Sequence, residues 1–471
     1  MTLPVLADDA LSTGDQSFAL RLSLPWIRSL PLASLHDVRV SIDGADVAVR
    51  VRLDGRDLSA ADLATAPGWW FVQDRVALAG DTALPGGAHD VAVSFRLLIP
   101  YLPAGPDAPL VLPFAARRRL VAGPDGGAHD ARAVRLSATP RPPEPARAAR
   151  PAPSAWRLAA SAFNWTPEVI RAERDAADIA VGIAAGGTAD EIEVELGQSL
   201  RSFPALAGDE AAHLGWRIAD GGGRVSIVGA SLDDWLSPSR RRGDDERLAF
   251  LLPQLHAAHA LGAEGVRLPI GQAGEPLLRR LLPTLHELDL VLYEEVQGPQ
   301  TPAREEAAID AVARIDDAHV RLLVDISMLM PALPVTYLER MAALPADLHA
   351  RLGGAWRDPA THDAVLAALR AGDVPREVHT MFMDLLVRFG RSEASELRPV
   401  LPLVGAFHLK FWDLEDADGR VSGPIRDLGD LLRGTGFAGT LCSEWGGHEW
   451  LDADPTETTS AHLALAREAL G

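Results

Sequence analysis

Four side chains able to bind a metal sit at the ends of four short apolar runs in the second half of this chain. They are Glu295 in VLYEEVQG, Asp325 in VRLLVDISM, His408 in VGAFHLKFWDL and Glu444 in GTLCSEWGG. Each run has the length of a buried strand, and a turn or helix signal follows it. Strand-end side chains of a parallel barrel converge on one mouth. Three carboxylates and one imidazole meeting there would hold a divalent cation. The oxygen-rich set suits Mn2+ first, with Mg2+, Co2+ or Zn2+ as alternatives. A cation chelated by a sugar carbonyl and its neighbouring hydroxyl stabilises the enediolate formed when the carbon between them loses a proton. Isomerisation, epimerisation and β-elimination all pass through that species.

Other residues are candidates around the same mouth. Glu294 adjoins Glu295, and neighbouring strand residues face opposite sides. We assign Glu295 inward, on the face it shares with Val291 and Tyr293. Lys410 follows His408 by two and shares its face; it is either an electrophile beside a sugar oxygen or a counter-ion for the carboxylates. Asn164, Gln198, Arg201 and Arg267 fall near strand ends and are candidates for binding hydroxyls. Trp412 and Trp445, with Trp165, Phe203 and Trp450, offer aromatic faces that could stack on a sugar or a flavonoid-like ring.

The positioning elements follow from periodicity. From residue 156 onward strands alternate with helices. The strand candidates are WRLAASAFNW, DEIEVELGQ, GRVSIVGASL, GVRLPIG, LVLYEEVQG, VRLLVDISM, VGAFHLKFW and GTLCSEWGG. Helices are expected over TPEVIRAERDAADIA, DDERLAFLLPQLHAAHALGA and EPLLRRLLPTLHELD, the first opened by Thr166-Pro167. This is the pattern of a (β/α)8 TIM barrel over 156–471. An insertion between Met328 and Pro399 would lie over the mouth as a lid. Residues 1–122 alternate apolar and polar residues with period two, broken by Asp43-Gly44, Asp54-Gly55 and Pro85-Gly86-Gly87 turns. They read as an all-β sandwich. Residues 123–155, rich in Pro, Ala and Arg, read as a linker.

Bulk properties narrow the partners. The chain has 471 residues, with 45 Lys+Arg against 65 Asp+Glu for a net charge of −20. That balance argues against nucleic acid and anionic membranes. No apolar run approaches the roughly 20 residues needed to span a bilayer. The single cysteine, Cys442, excludes an intrachain disulfide and reads as a small buried strand residue. The N-terminus has no basic and apolar leader pattern, so a cytoplasmic location is expected.

The barrel half resembles the xylose isomerase-like sugar isomerase/epimerase superfamily. The resemblance rests on E-x-x-G at Glu295, the strand-end Asp325, H-x-K at His408 and Lys410, and E-W at Glu444. The stretch SFALRLSLPWIRSLPLASLHDVRVSIDGADV, with GWWFVQDRVAL and HDVAVSFRLLIPYLP, is similar to the β subunit of bacterial C-glycoside deglycosidases. In that family a small β-rich subunit pairs with a barrel α subunit; here both lie in one chain. The resemblance implies a metal-dependent lyase. Its substrate would be a 3-oxo-C-glycoside or related 3-oxo-glycoside with an aromatic aglycone, which leaves from C1 after C2 is deprotonated. A sugar isomerase/epimerase, or a non-catalytic glycoside-binding or partner subunit, is the alternative, and homo-oligomers are compatible with each. The superfamily commonly places a histidine two residues after the first metal glutamate. Gln297 stands there instead, able to orient a substrate oxygen but not to exchange a proton at neutral pH. Lys410, Glu294, His448 and His379 are then the base candidates. Met328 likewise stands where related epimerases often have histidine.

Overall fold

The computed structural model describes residues 5–53, 55–105, 107–124 and 156–471. Eight parallel strands close into a barrel: Arg157–Ser161, Glu191–Glu195, Arg224–Gly229, Gly265–Pro269, Val291–Val296, Val320–Asp325, Val404–Phe411 and Thr440–Trp445. These are the eight expected runs, in order. The first run stops early: Ala162–Trp165 coils into a 3-10 turn whose start is capped by Ser161 Oγ, which accepts from Phe163 N. The helix expected after it is broken. Thr166–Ile170 and Ala176–Ala185 are separate, with Ala172 left-handed at φ 51° between them. Asp175 caps the second piece by accepting from Ala177 N and Asp178 N, a local competitor to continued helix. Asp244–Ala260 and Gly274–Leu288 are helices as expected.

The long insertion folds into four helices, Val335–Arg340, Ala346–Gly354, Pro359–Ala371 and His379–Val387. Tyr337, Trp356, Phe382 and Phe389 give it an apolar core of its own, which takes in Trp412 from just past strand seven. That anchor places the insertion at the C-terminal ends of strands six to eight.

Among the described residues two larger sheets precede the barrel, besides a two-stranded pair of Leu30–Pro31 with Trp69–Trp70. One has six strands, with Phe18–Ser23 and Arg75–Gly80 at its centre; the other has four, including Leu35–Ile42, Ala88–Gly105 and Ala108–Val121. A single buried cluster draws on both, with Phe18, Leu20, Leu22, Val76 and Leu78 meeting Val40, Val91, Val93 and Phe95. Asp43 and Gly44 both have positive φ (52° and 81°), as a tight hairpin turn requires. The chain changes sheet after that turn: Ala45–Val47 joins the four-stranded sheet and Arg50–Leu53 the six-stranded one. Gly123–Pro124 pairs with Leu11–Thr13, and the rest of 123–155 lies outside the described residues. Among the described residues no helix is long and apolar enough to cross a membrane.

The sheets dock on the segments that follow strands one to three. Gln73 Nε2 donates to Val169 O (3.0 Å) and Arg174 O (2.7 Å), bracing the broken helix. Ser29 Oγ donates to Gly197 O at 2.6 Å, and Gln198 Nε2 to Ile27 O at 2.6 Å. Arg201 and Asp74 form a two-pronged ion pair. Arg28 reaches furthest, with its guanidinium 4.0 Å from the Tyr101 ring, on Ser231 Oγ (3.1 Å) and paired with fully buried Asp233. Removing one partner of a buried ion pair strands the other charge. Arg28→Met should therefore lower the unfolding free energy by about 3 kcal/mol or more in denaturant titration, and an unchanged midpoint would refute this role.

Candidate metal centre

Strand register sets the geometry of the mouth. Asp325 pairs directly with His408, and Lys410 with Glu444. One ligand atom from each of Glu295, Asp325, His408 and Glu444 lies within 4.8 Å of the others, and all four residues are buried. The face assignment on strand five holds. Tyr293 and Val291 join Ile227, Leu323 and Ala406 in an apolar cluster inside the barrel, below Glu295. Leu292, one residue out of phase, belongs to the layer between strands and helices.

His408 is gripped on both ring nitrogens. Nδ1 lies 2.6 Å from Glu444 Oε2 and 3.0 Å from Glu295 Oε1. Behind it, Nε2 is 2.9 Å from Glu193 Oε2. Nδ1 and Glu444 Oε2 are nevertheless buried without a hydrogen bond. Three carboxylates and a ring nitrogen crowded into a dry cluster, with these two atoms lacking a hydrogen bond, are what a cation would satisfy. A carboxylate behind the ring is how metal-bound imidazoles are commonly oriented, because it fixes which nitrogen offers its lone pair. The ligand set fits a divalent ion on these grounds.

Glu193 and Glu195 were missed in the sequence. Strand two reads Glu-Ile-Glu-Val-Glu, and its period-two acids lie on one face. Arg267, expected to bind substrate hydroxyls, is instead their counter-ion. Its Nε lies 2.5 Å from Glu193 and its Nη1 3.0 Å from Glu295, and it also pairs with Glu195. Lys410 Nζ donates to Glu444 Oε1 at 2.6 Å.

These charges tune one another. Burial opposes ionisation of Glu295, but Arg267 and His408 outweigh it and hold the carboxyl below its ordinary range. Glu444 sits well below its range, burial being outweighed by Lys410 and His408. Asp325 is pushed up to about 6 by burial, with Glu444 adding to the rise. Burial disfavours the Lys410 ammonium, yet Glu444 and Asp325 raise its pKa, so it stays protonated.

Several expected site residues are engaged elsewhere. Asn164 donates to Ser443 O (3.2 Å) and Thr459 Oγ1 (3.0 Å) and accepts from Trp445 N (2.7 Å), tying strand one to strand eight. Gln198 holds Ile27 O and Thr166 Oγ1. Both are structural where hydroxyl binding was expected, because the sheets and the last helix cover their strand ends. Trp445 is 1% exposed and donates to Trp412 O. Trp412 packs edge-on against Phe389, 4.9 Å between ring centres. Both rings are packing elements rather than an open stacking platform. Gln297 is exposed just past strand five, and His379 is exposed on the insertion.

Glu294 faces away from the mouth, accepting from Gly271 N at 2.7 Å before the helix Gly274–Leu288. This removes it as a base for chemistry inside the barrel. His448 gains weight instead. It is 3% exposed with neither ring nitrogen hydrogen-bonded. Its ring lies 5.1 Å from that of Phe163, whose centre is 5.4 Å from Lys410 Nζ.

Burial raises the Glu294 pKa from 4.5 to about 7. The folded chain thus keeps a proton that the unfolded chain releases between those values. The stabilising neutral form is complete below pH 4.5 and lost as pH rises through 7. Glu294→Gln should melt higher than the parent at pH 8, by up to about 3 kcal/mol at 1.36 kcal/mol per unit. The gain should vanish near pH 4.5; an equal shift at both values would contradict the reading.

No protein-family model matches the chain. Individual relatives do. A 3'-dehydrocarminate deglycosidase alpha subunit from Microbacterium sp. is 25% identical over 336 residues, covering 67% of this chain and 95% of the relative. The beta subunit of that name, also from Microbacterium sp., is 33% identical over 104 residues, covering 21% of this chain and 79% of the relative. A crystal structure of D-psicose 3-epimerase superposes with a TM-score of 0.41 at 14% identity, over 67% of this chain and 99% of that one. The chain therefore belongs to the C-glycoside deglycosidase family and carries, in one polypeptide, regions similar to both its alpha and its beta subunits.

Proposed function

We propose that this enzyme is a metal-dependent lyase that cleaves 3-oxo-C-glycosides, or related 3-oxo-glycosides, with an aromatic aglycone. The observation that carries the reading is the Glu295, Asp325, His408, Glu444 cluster with its orphaned atoms, in a chain similar to both deglycosidase subunits. The 3-ketone acidifies the C2 hydrogen. Removing that proton forms the C1–C2 double bond as the C1–aglycone bond breaks, and the aglycone carbon takes up a proton. No oxidant or reductant is consumed. A divalent ion, Mn2+ by preference, would supply Lewis-acid stabilisation of charge on the sugar oxygens.

The chain's own groups fill the remaining roles. Lys410, kept as an ammonium by Glu444, donates a hydrogen bond to a sugar oxygen. Gln297 orients a hydroxyl at the rim. Among the base candidates Glu294 faces outward, His379 is exposed on the insertion and Lys410 is protonated, which leaves His448. Burial, with Lys410 second, lowers its pKa to about 3 and keeps the ring neutral, with a lone pair free. Negative charge growing on the substrate would raise that basicity during proton transfer. We read residues 1–122 as a β-sandwich module walling the mouth beside strands one to three, 123–155 as the linker, and 156–471 as the barrel, with the insertion as lid.

Purified protein incubated with a 3-oxo-C-glucoside should release free aglycone. Exchange of the C2 hydrogen for deuterium without release would favour the isomerase/epimerase alternative instead. Glu444→Gln should lose the bound metal on dialysis; full retention in metal analysis would sink the site. His448→Gln should keep the metal yet lose about 100-fold or more in turnover, and near-parental turnover would assign the base elsewhere.

A further inference from the structure

A second cluster of ligating groups lies at the other end of the barrel. His286 is in the last turn of the helix Gly274–Leu288, and Asp317 and His319 lie in the turn that leads into strand six. These positions are at the N-terminal ends of the strands, opposite the mouth. We propose that His286, Asp317 and His319 form a separate divalent-cation site, selective for Zn2+ or a similar borderline ion.

The geometry is that of a partly assembled site. One ligand atom from each residue lies within 4.8 Å of the others. His286 Nε2 is 2.8 Å from Asp317 Oδ2, and the two imidazole rings are 4.2 Å apart. His319 Nδ1 bonds to Leu290 O at 2.7 Å, so that nitrogen carries the proton and Nε2 keeps its lone pair. Asp317 Oδ1 is fixed by the His319 backbone N–H at 2.9 Å, leaving Oδ2 as the ligand atom. Tetrahedral zinc with bonds of about 2.0 Å spaces its ligands by roughly 3.3 Å. The His286–Asp317 hydrogen bond needs to open by only about half an ångström to accept it. Two imidazoles and one carboxylate suit Zn2+, Co2+ or Cu2+ better than the oxygen-rich mouth does. Arg321 Nη1 is held by two backbone carbonyls, donating to Asp317 O at 2.7 Å and Val320 O at 3.1 Å. The bound ion would tie a helix end to the lead-in of strand six, and fill its fourth position with water.

The test is metal alone on the full-length chain. Metal-stripped protein dialysed against Zn2+ should bind two equivalents, and His286→Ala/His319→Ala should bind one. Glu444→Gln should keep the equivalent that the double variant loses. A Cu2+ spectrum of Glu444→Gln should show coupling to two imidazole nitrogens that is absent when His286 and His319 are also replaced. His286→Ala alone should weaken the second site tenfold or more. Identical stoichiometry and affinity in parent and double variant would overturn the proposal, whatever the activity of the mouth.

Discussion

The imidazole of His408 is held between carboxylates on both of its nitrogens, inside a barrel that excludes water. Glu193 stands behind it; Glu295 and Glu444 stand in front. In such a low-dielectric space every attraction is strengthened, and every unpaired charge becomes costly. The arrangement holds only if strands two, five, seven and eight keep their register around a closed wall. Arg267 offsets part of the negative charge from strand four, and the Tyr293, Leu323 and Ala406 layer seals the floor. Closure of the sheet and chemistry of the site are thus one constraint.

The strand ends divide their labour by side. After strands one to three they serve docking: Gln198, Arg201, Ser231 and Asp233 all engage the N-terminal sheets. After strands five to eight they carry the candidate metal cluster, beneath an insertion whose core reaches Trp412. The mouth is therefore flanked by two modules built by different means, one a pair of sheets preceding the barrel and the other an expanded loop within it. Holding both halves in one polypeptide keeps their effective concentration high.

Gln297 and His448 belong together in the proposed chemistry. Strand five ends in an amide that cannot take a proton, while the segment after strand eight brings a neutral imidazole to the wall that Phe163 shares with Lys410. A barrel permits such relocation, because its strand ends ring a single axis and any of them can deliver a group to the same point.

The sequence by itself determined the eight barrel strands, the sheet-rich beginning and the four residues that meet in the candidate metal cluster. Those features are written in local periodicity and in residue type at strand ends. Glu295 over Glu294 was legible for the same reason, since alternation along a strand is a local property. Glu193 was equally visible in its Glu-Ile-Glu-Val-Glu run but had no meaning until strand two faced strand seven across the barrel. Asn164, Gln198, Arg267 and Trp445 looked like site residues because strand ends usually are. Only the fold revealed that other modules and neighbouring charges already occupy them. Partners hundreds of residues apart in sequence, such as Arg28 and Asp233, are chosen by closure and docking, which no local pattern records.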